Sequence, residues 1–111
     1  MTTTIYKAAH GGWAAESTHH LAPGRQLFIL TMKRSSGELV TTARTERSDA
    51  PGVSTFQPYG TGADLSLIVC RSNRRATQHA AAEQHAAALE SLGDLTAQAL
   101  AHIRKIEQVE G

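Results

Sequence analysis

The sequence contains little of what many small proteins depend on. Its 111 residues include one cysteine, so no disulfide can form within the chain, and a reducing compartment such as the cytoplasm is expected. No apolar run approaches the roughly 18 residues that a membrane-spanning helix needs. The N-terminus also lacks the charged and apolar blocks of a signal peptide. We therefore expect a cytoplasmic protein without a membrane partner.

Signatures of catalysis and of metal binding are missing as well. His79 and His85 are six residues apart, which places them on different sides of a helix rather than together. The glycine-rich stretch PYGTGAD lacks the pattern of a phosphate-binding loop, and nothing fixes a base beside Cys70. We predict no metal, no cofactor and no catalytic residue, and we favour a protein that is not an enzyme.

Aromatic residues make up only 5% of the chain, which is low for a surface that stacks on RNA bases. Trp13 and Tyr59 are candidate stacking residues, although a position over one sheet face is the simpler interpretation of Trp13. The length and the 41% hydrophobic content are typical of one globular domain. We predict a single domain over 1–111, with a sheet portion over 1–71 and a helical portion over 72–111.

Alternating apolar and β-branched residues predict strands in the first two thirds of the chain. The clearest strand is RQLFILTMKR (25–34), whose two faces are both apolar and should both be covered. With the turn SSG and the threonine-rich ELVTTART (38–45), it forms a predicted hairpin. The stretch over 13–20 fits either a strand or a helical turn. Further strands are predicted over TTTIYKA (2–8), VSTFQ (53–57) and ADLSLIVCR (63–71).

The last third of the chain is predicted to be helical. Residues 74–92 carry seven alanines, and Ser72 or Asn73 is the expected N-cap. Gly93 can separate two helices, but one continuous helix is equally compatible because an internal glycine costs only about 1 kcal/mol. The predicted fold class is therefore α+β. An antiparallel meander of four to five strands is followed by one long or two consecutive C-terminal helices packed on one sheet face.

An apolar stripe along the helical third has the alternating spacing of three and four residues that helix-packing seams show. Packing on the chain's own sheet is the simpler interpretation, and packing on a second copy is the alternative. The second apolar face of the strand over 25–34 also needs a cover, from the N-terminal segment or from a second subunit. We therefore expect a homodimer. The stripe consists of Leu89, Leu92, Thr96, Ala99, Ile103 and Ile106, and its five apolar members, Leu89, Leu92, Ala99, Ile103 and Ile106, are the predicted seam.

Charge is distributed unevenly along the chain. Residues 1–75 hold nine Lys or Arg against five Asp or Glu, and residues 76–111 hold two against five. If the strands alternate as predicted, six arginines meet at one end of the sheet, with Arg74 and Arg75 in the first helical turn, where they oppose the helix dipole. A bound anion would relieve that opposition. The six are Arg25, Arg44, Arg47, Arg71, Arg74 and Arg75.

These arginines predict a small non-enzymatic protein that contacts nucleic-acid backbone with little sequence specificity. The alternative is a protein–protein interaction module that docks on an acidic partner, such as an inhibitor, adaptor or assembly factor of the kind that phages or mobile elements carry. A third interpretation leaves the arginines as solvated surface, paired with Glu46, Asp49 or the acidic helices. The sequence alone leaves all three open.

Overall fold

Five antiparallel strands form one sheet, and two helices follow them in the chain. The computed structural model of the protein describes residues 2–48 and 65–110, with side chains described as far as residue 105. The strands pair in sequence order, so the predicted α+β meander is confirmed. The elements are β1 Thr3–Lys7, β2 Trp13–Ala22, β3 Arg25–Lys33, β4 Leu39–Arg47, β5 Ser66–Ser72, α1 Gln78–Leu89 and α2 Leu92–Glu110.

The predicted hairpin is formed by β3 and β4. Its pairs run from Arg25 opposite Arg47 to Lys33 opposite Leu39. Gly37 has a φ of 90°, a left-handed conformation that glycine adopts without steric cost, and it closes the turn between the two strands. The ambiguous stretch over 13–20 belongs to β2, which pairs with both β1 and β3.

The last strand runs in the opposite direction from the predicted one. β5 pairs directly with β4, with Val40 opposite Arg71 and Arg44 opposite Ser66. An intervening strand over 53–57, as the sequence indicates, would reverse β5, but that segment lies outside the described residues. Because antiparallel neighbours alternate in direction, β5 ends beside the beginning of β4.

Both helices pack on the same face of the sheet, here called the inner face. The predicted seam contacts the chain's own sheet, because Ala99 is buried with Leu27 and Ile29 in one apolar cluster. Ile103 is buried beside Leu21, while Leu89 and Leu92 lie partly buried at the margin of the cluster. The side chain of Ile106 lies outside the described part. The seam is thus used within the monomer, as the simpler interpretation proposed.

The helical third consists of two helices rather than one. α1 ends at Leu89, and the N–H of Glu90 donates to the carbonyls of Ala87 and Ala88. α2 begins at Leu92, so the break precedes Gly93, which lies inside α2. Within the described residues, no helix is long and apolar enough to cross a membrane.

The outer face of the sheet carries Phe28, Leu30 and Met32, which are half-buried. Ile68 lies on the edge strand β5, opposite Thr42 of β4, and is 51% exposed. The N-terminal segment does not cover this face, because it forms the edge strand β1 beside β2. Neither of the two described helices packs on the outer face.

Candidate functional site

The six predicted arginines lie at two opposite ends of the sheet instead of one. β3 is nine residues long, so the two ends are about 27 Å apart. The expected single cluster does not form, because β5 pairs directly with β4 and therefore ends at the opposite end of the sheet from Arg25 and Arg47. The first arginine group consists of Arg25, Arg44 and Arg47, and the second consists of Arg71, Arg74 and Arg75.

The first arginine group is already engaged by other side chains. The guanidinium of Arg44 lies 4.8 Å from the ring centroid of Phe28, and its Nη2 lies 3.5 Å from Oε2 of Glu46. Glu46 is only 2% exposed, and its Oε1 accepts a 2.6 Å hydrogen bond from Nε2 of Gln26. The other two members of the group also make interactions. A buried carboxylate therefore offsets part of the positive charge at this end.

Two members of the second arginine group, Arg74 and Arg75, lie on a segment that crosses the end of the sheet, and Arg71 lies just before it in β5. Residues 73–76 lead from β5 to β2, where the N–H of Trp13 donates a 2.7 Å hydrogen bond to the carbonyl of Ala76. This crossing covers three strand spacings, or about 14 Å. Four residue steps span that distance only when the chain is almost fully extended. The segment must therefore run nearly straight from β5 towards β2, and it ends in a tight turn in which the N–H of Thr77 donates a 2.8 Å hydrogen bond to the carbonyl of Arg75.

The extended crossing delays the start of α1. Thr77 is the N-cap, since its Oγ1 accepts a 3.1 Å hydrogen bond from the N–H of Ala80. The predicted caps at Ser72 and Asn73 are thus wrong, although both residue types cap helices well. Arg74 and Arg75 precede the N-cap, so they do not lie in the first helical turn as predicted. The electrostatic conflict expected there is correspondingly smaller.

Gly12 allows the crossing segment to approach β2 closely. Its φ is 77°, and a Cβ at this position would lie 2.8 Å from the Cβ of Ala76, closer than real contacts allow. The predicted turn HGGW is therefore required for two reasons, the left-handed backbone and the contact with the crossing segment.

The crossing segment, the beginning of β2 and the β3–β4 turn enclose a cleft of about 460 Å³. Its lining includes three cationic side chains and one indole, and no carboxylate is among the described lining residues. We call this the basic cleft. Its lining residues are Gly12, Trp13, Lys33, Gly37, Asn73, Arg74, Arg75, Ala76, Thr77 and Gln78.

The cations of the basic cleft differ in how strongly they are already paired. Nη1 of Arg74 lies 2.9 Å from Oε1 of Glu83, which is itself exposed. At the edge of the sheet nearby, Arg71 lies 3.6 Å from Glu38. Lys33 and Arg75 are exposed and have no carboxylate partner among the described residues. These two side chains are therefore the ones most available to an anion.

Beyond the cleft, α1 is held on the sheet by a buried hydrogen-bond network. His85 is fully buried, with Nε2 2.7 Å from the hydroxyl of Ser17 and Nδ1 2.9 Å from the hydroxyl of Thr31. Thr31 in turn lies 2.7 Å from the hydroxyl of Thr41. A neutral imidazole has one donor and one acceptor nitrogen, and hydroxyls can match both. Burial lowers the pKa of His85 from its ordinary value, which favours this neutral form.

Gln84, the neighbour of His85, continues the same network. Its Nε2 donates to the carbonyl of Leu39 at 2.9 Å and to the hydroxyl of Thr41 at 3.2 Å. Its Oε1 accepts a 2.6 Å hydrogen bond from the hydroxyl of Ser72, the last residue of β5. The network thus ties α1 to the strand that leads into the crossing segment and fixes where that segment begins.

The Ser17–His85 pair does not form a catalytic site. Ser17 is only 2% exposed, and the second nitrogen of His85 contacts a threonine instead of the carboxylate that orients histidine in serine hydrolases. The described residues also contain no group of three or more His, Cys, Asp or Glu placed to hold a metal ion. The network is best understood as a means of positioning α1.

Several residues of the cleft and of the network were not found from the sequence. Lys33 and Trp13 join the second arginine group only through the direction of β5 and the path of the crossing segment. His85 was weighed only as a metal ligand. A signal was present, because His85 shares the spacing of the small residues Ala81 and Ala88 on the buried side of α1.

Comparison of the chain with protein-family models, with curated proteins and with solved structures gives no match. Any functional conclusion for this protein therefore rests on its own geometry.

Proposed function

We propose that this protein binds the phosphate backbone of nucleic acid in the basic cleft. Lys33 and Arg75 make the main contacts. Arg74 contributes less because Glu83 already pairs with it, and Arg71, which pairs with Glu38, adds positive charge at the rim. The first arginine group, about 27 Å away, makes no direct contact with the same stretch of backbone. The proposed ligand is the same as the one predicted from the sequence, nucleic-acid backbone. Of the six predicted arginines, only Arg71, Arg74 and Arg75 take part.

The observation that carries this proposal is the cleft lining, which combines three cations with no described carboxylate. Arginine and lysine side chains without carboxylate partners gain the most from a phosphate, because nothing must be displaced for the ion pair to form. Exposed cations on a solvated surface usually have acidic side chains beside them, as Arg74 has Glu83. Arg74 in the lining follows that pattern, and the other two cations of the lining, Lys33 and Arg75, depart from it because neither has a carboxylate partner among the described residues.

The proposal is tested by fluorescence anisotropy with labelled single- and double-stranded DNA and RNA at several salt concentrations. Three to four phosphate contacts give a Kd of roughly micromolar order. They also predict a loss of affinity of about 20- to 50-fold between 50 and 200 mM salt on a single strand, from a logarithmic slope of about −2 to −3. Absence of binding at low salt would end the nucleic-acid proposal.

The two arginine groups supply a matched control. The double variant Arg74→Glu/Arg75→Glu should abolish detectable binding. The double variant Arg25→Glu/Arg47→Glu changes the net charge by the same amount at the other end of the sheet. It should weaken binding only severalfold, through long-range charge. Equal losses in the two variants would mean that net charge, and not the cleft, controls binding.

A second candidate function, docking on an acidic protein, is favoured by one observation. Ile68 is 51% exposed on the outer face and lies on the same strand as Arg71. Its partner on β4 is Thr42, two residues before Arg44. An apolar side chain beside cations is typical of protein interfaces. This candidate predicts that Ile68→Asp abolishes association with an acidic partner, whereas nucleic-acid binding in the cleft predicts no effect of this change.

The expected homodimer and cytoplasmic location are also proposals. Because the described part of the helical seam packs on the chain's own sheet, we propose that a dimer uses the outer face, where Ile68 is exposed. Sedimentation velocity of the native protein and of Ile68→Asp distinguishes a dimer through this face from a monomer. The cytoplasmic location rests on the single cysteine, and cell fractionation tests it.

A further inference from the structure

The basic cleft contains a feature that phosphate binding alone does not require, the indole of Trp13. The backbone of this residue is fixed by its 2.7 Å hydrogen bond to Ala76 and by the close packing at Gly12. Trp13 is half-buried and is one of the residues that line the cleft. The lining thus combines a residue that carries a flat aromatic ring with the two cations that lack carboxylate partners among the described residues, Lys33 and Arg75.

This combination fits an unpaired nucleotide. Proteins that bind single strands stack a base on an aromatic ring and place the neighbouring phosphate on lysine or arginine. The cleft volume of about 460 Å³ is in the range of pockets for small ligands, roughly 300–1,000 Å³. A double helix keeps its bases stacked inside and cannot present one to Trp13. Asn73, Thr77 and Gln78 also line the cleft and offer hydrogen-bond donors and acceptors to a base edge.

We propose that the basic cleft binds one unpaired nucleotide of a single-stranded nucleic acid, with its base against Trp13 and its phosphate on Lys33 and Arg75. This inference rests on the proposed function and narrows its ligand to single strands. An acidic peptide would satisfy the two cations but would leave the indole without a stacking partner, so the nucleotide is the better fit.

Trp13 is the only tryptophan of the chain, so intrinsic tryptophan fluorescence reports directly on the cleft. The experiment titrates the full chain with a short oligothymidylate and with an abasic oligomer of equal length. A duplex of equal length and oligoglutamate are titrated in the same way. Base stacking should quench the tryptophan emission with oligothymidylate alone. The abasic oligomer should bind about tenfold more weakly or worse, in line with the contribution of one stacked base.

Two variants separate stacking from phosphate binding. Binding to Trp13→Leu is followed by anisotropy. The substitution should lower the affinity for oligothymidylate to that for the abasic oligomer, and it should leave the affinity for the abasic oligomer unchanged. Unchanged abasic binding shows at the same time that the cleft is still folded. Trp13→Phe keeps a smaller aromatic ring and should retain most of the difference between the two oligomers. If Trp13→Leu does not fold, the fluorescence comparison on the native chain still decides.

The outcomes distinguish this inference from the function on which it rests. Equal binding of oligothymidylate and the abasic oligomer, with unchanged tryptophan emission, overturns the stacking inference. It leaves the proposed binding of the phosphate backbone in the basic cleft intact. Equal binding of the duplex also overturns it. Tight binding of oligoglutamate with quenching overturns it in favour of an acidic peptide. If none of the nucleic acids binds, both proposals fail together.

Discussion

The two helices contact the same face of one sheet through different chemistry. α1 is held by a histidine and a glutamine that hydrogen-bond to hydroxyls of four strands, and its other buried residues are alanines. α2 is held by Leu95, Ala99 and Ile103, which pack against leucine, isoleucine and alanine side chains of the sheet. One interface is directional and the other is apolar.

The difference shows how a small protein can separate stability from placement. Apolar burial is non-directional and tolerates small shifts, whereas a hydrogen-bond network is satisfied in one arrangement only. Alanines bury little area, so α1 contributes modestly to hydrophobic stabilisation, and its network determines where it lies. α1 also begins at the basic cleft. The directional interface therefore lies next to the proposed binding site.

The largest effect is expected in the apolar half. Ile29→Ala removes a fully buried side chain from the cluster under α2 and should lower the free energy of unfolding by about 2–5 kcal/mol, which urea denaturation measures. Ile68→Ala is the matched control on the same sheet, because its side chain is 51% exposed, and it should cost less than about 1 kcal/mol. Equal losses would show that the inner face is not the core.

Replacing threonine by valine should change the stability in opposite directions at the polar interface of α1 and in α2. Thr31→Val removes one of the two hydrogen-bond partners of His85, which keeps Ser17, and one of the two partners of Thr41, which keeps Gln84. Because the groups left unpaired are buried, the change should destabilise the protein by about 2 kcal/mol. Thr96→Val in α2 removes a buried hydroxyl that has no hydrogen-bond partner among the described residues, and it should be neutral or stabilise by up to about 1 kcal/mol. The same urea experiment measures both. A loss of stability in Thr96→Val similar to that in Thr31→Val would contradict the distinction between the polar interface of α1 and the apolar interface of α2.

The polar half should also give the protein an acid-sensitive stability. Burial lowers the folded-state pKa of His85 below its ordinary value of 6.5, so the unfolded chain takes up a proton first as the pH falls. The contribution of neutral His85 is therefore complete above about pH 6.5 and is lost below it, at up to about 1.4 kcal/mol per pH unit. Urea midpoints measured between about pH 7.5 and 5 follow this loss.

Two histidine variants on α1 test the source of this pH dependence. His85→Gln removes the titrating group and should flatten the acid-side slope, although it also lowers stability at neutral pH. His79→Gln is the matched control, because it removes an exposed histidine of the same helix that lies outside the buried network and contacts Glu83 instead. An unchanged slope in His85→Gln would exclude His85 as its origin.

The smallest effects concern two glycines, one inside α2 and one in the turn between β1 and β2, where it contacts the crossing segment that leads to α1. Gly93→Ala lies inside α2, where an added Cβ meets nothing within 4 Å, and should stabilise the protein by about 0.5–1 kcal/mol. Gly12→Ala meets a positive φ and the 2.8 Å contact with Ala76, so it should destabilise instead. Thermal melts of the two variants compare them. A stabilising Gly12→Ala would contradict the close approach at the crossing segment.

Much of the fold could be predicted because strands and helices leave local patterns. The alternation in β3, the turn glycines and the alanine-rich third were sufficient for the hairpin, the meander and the two-layer arrangement. The start of α1 could not be predicted, because Ser72, Asn73 and Thr77 are all good N-caps. Only the crossing at the end of the sheet decides among them.

The location of the arginines could not be predicted for a related reason. Each added strand reverses the direction of the next one, so a single strand over 53–57 moves Arg71 and its neighbours from one end of the sheet to the other. The hydroxyl partners of His85 come from different strands and meet only through their register. Long-range register is therefore what the sequence pattern leaves undetermined.

The central claim is that the basic cleft, and not the other arginine end, is where nucleic acid binds. Amide chemical-shift mapping of the isotope-labelled protein during addition of oligothymidylate tests this claim residue by residue. We predict shifts concentrated at Gly12, Trp13, Lys33 and Arg75. Shifts concentrated around Arg25, Arg44 and Arg47, or around Ile68 on the outer face, would contradict it.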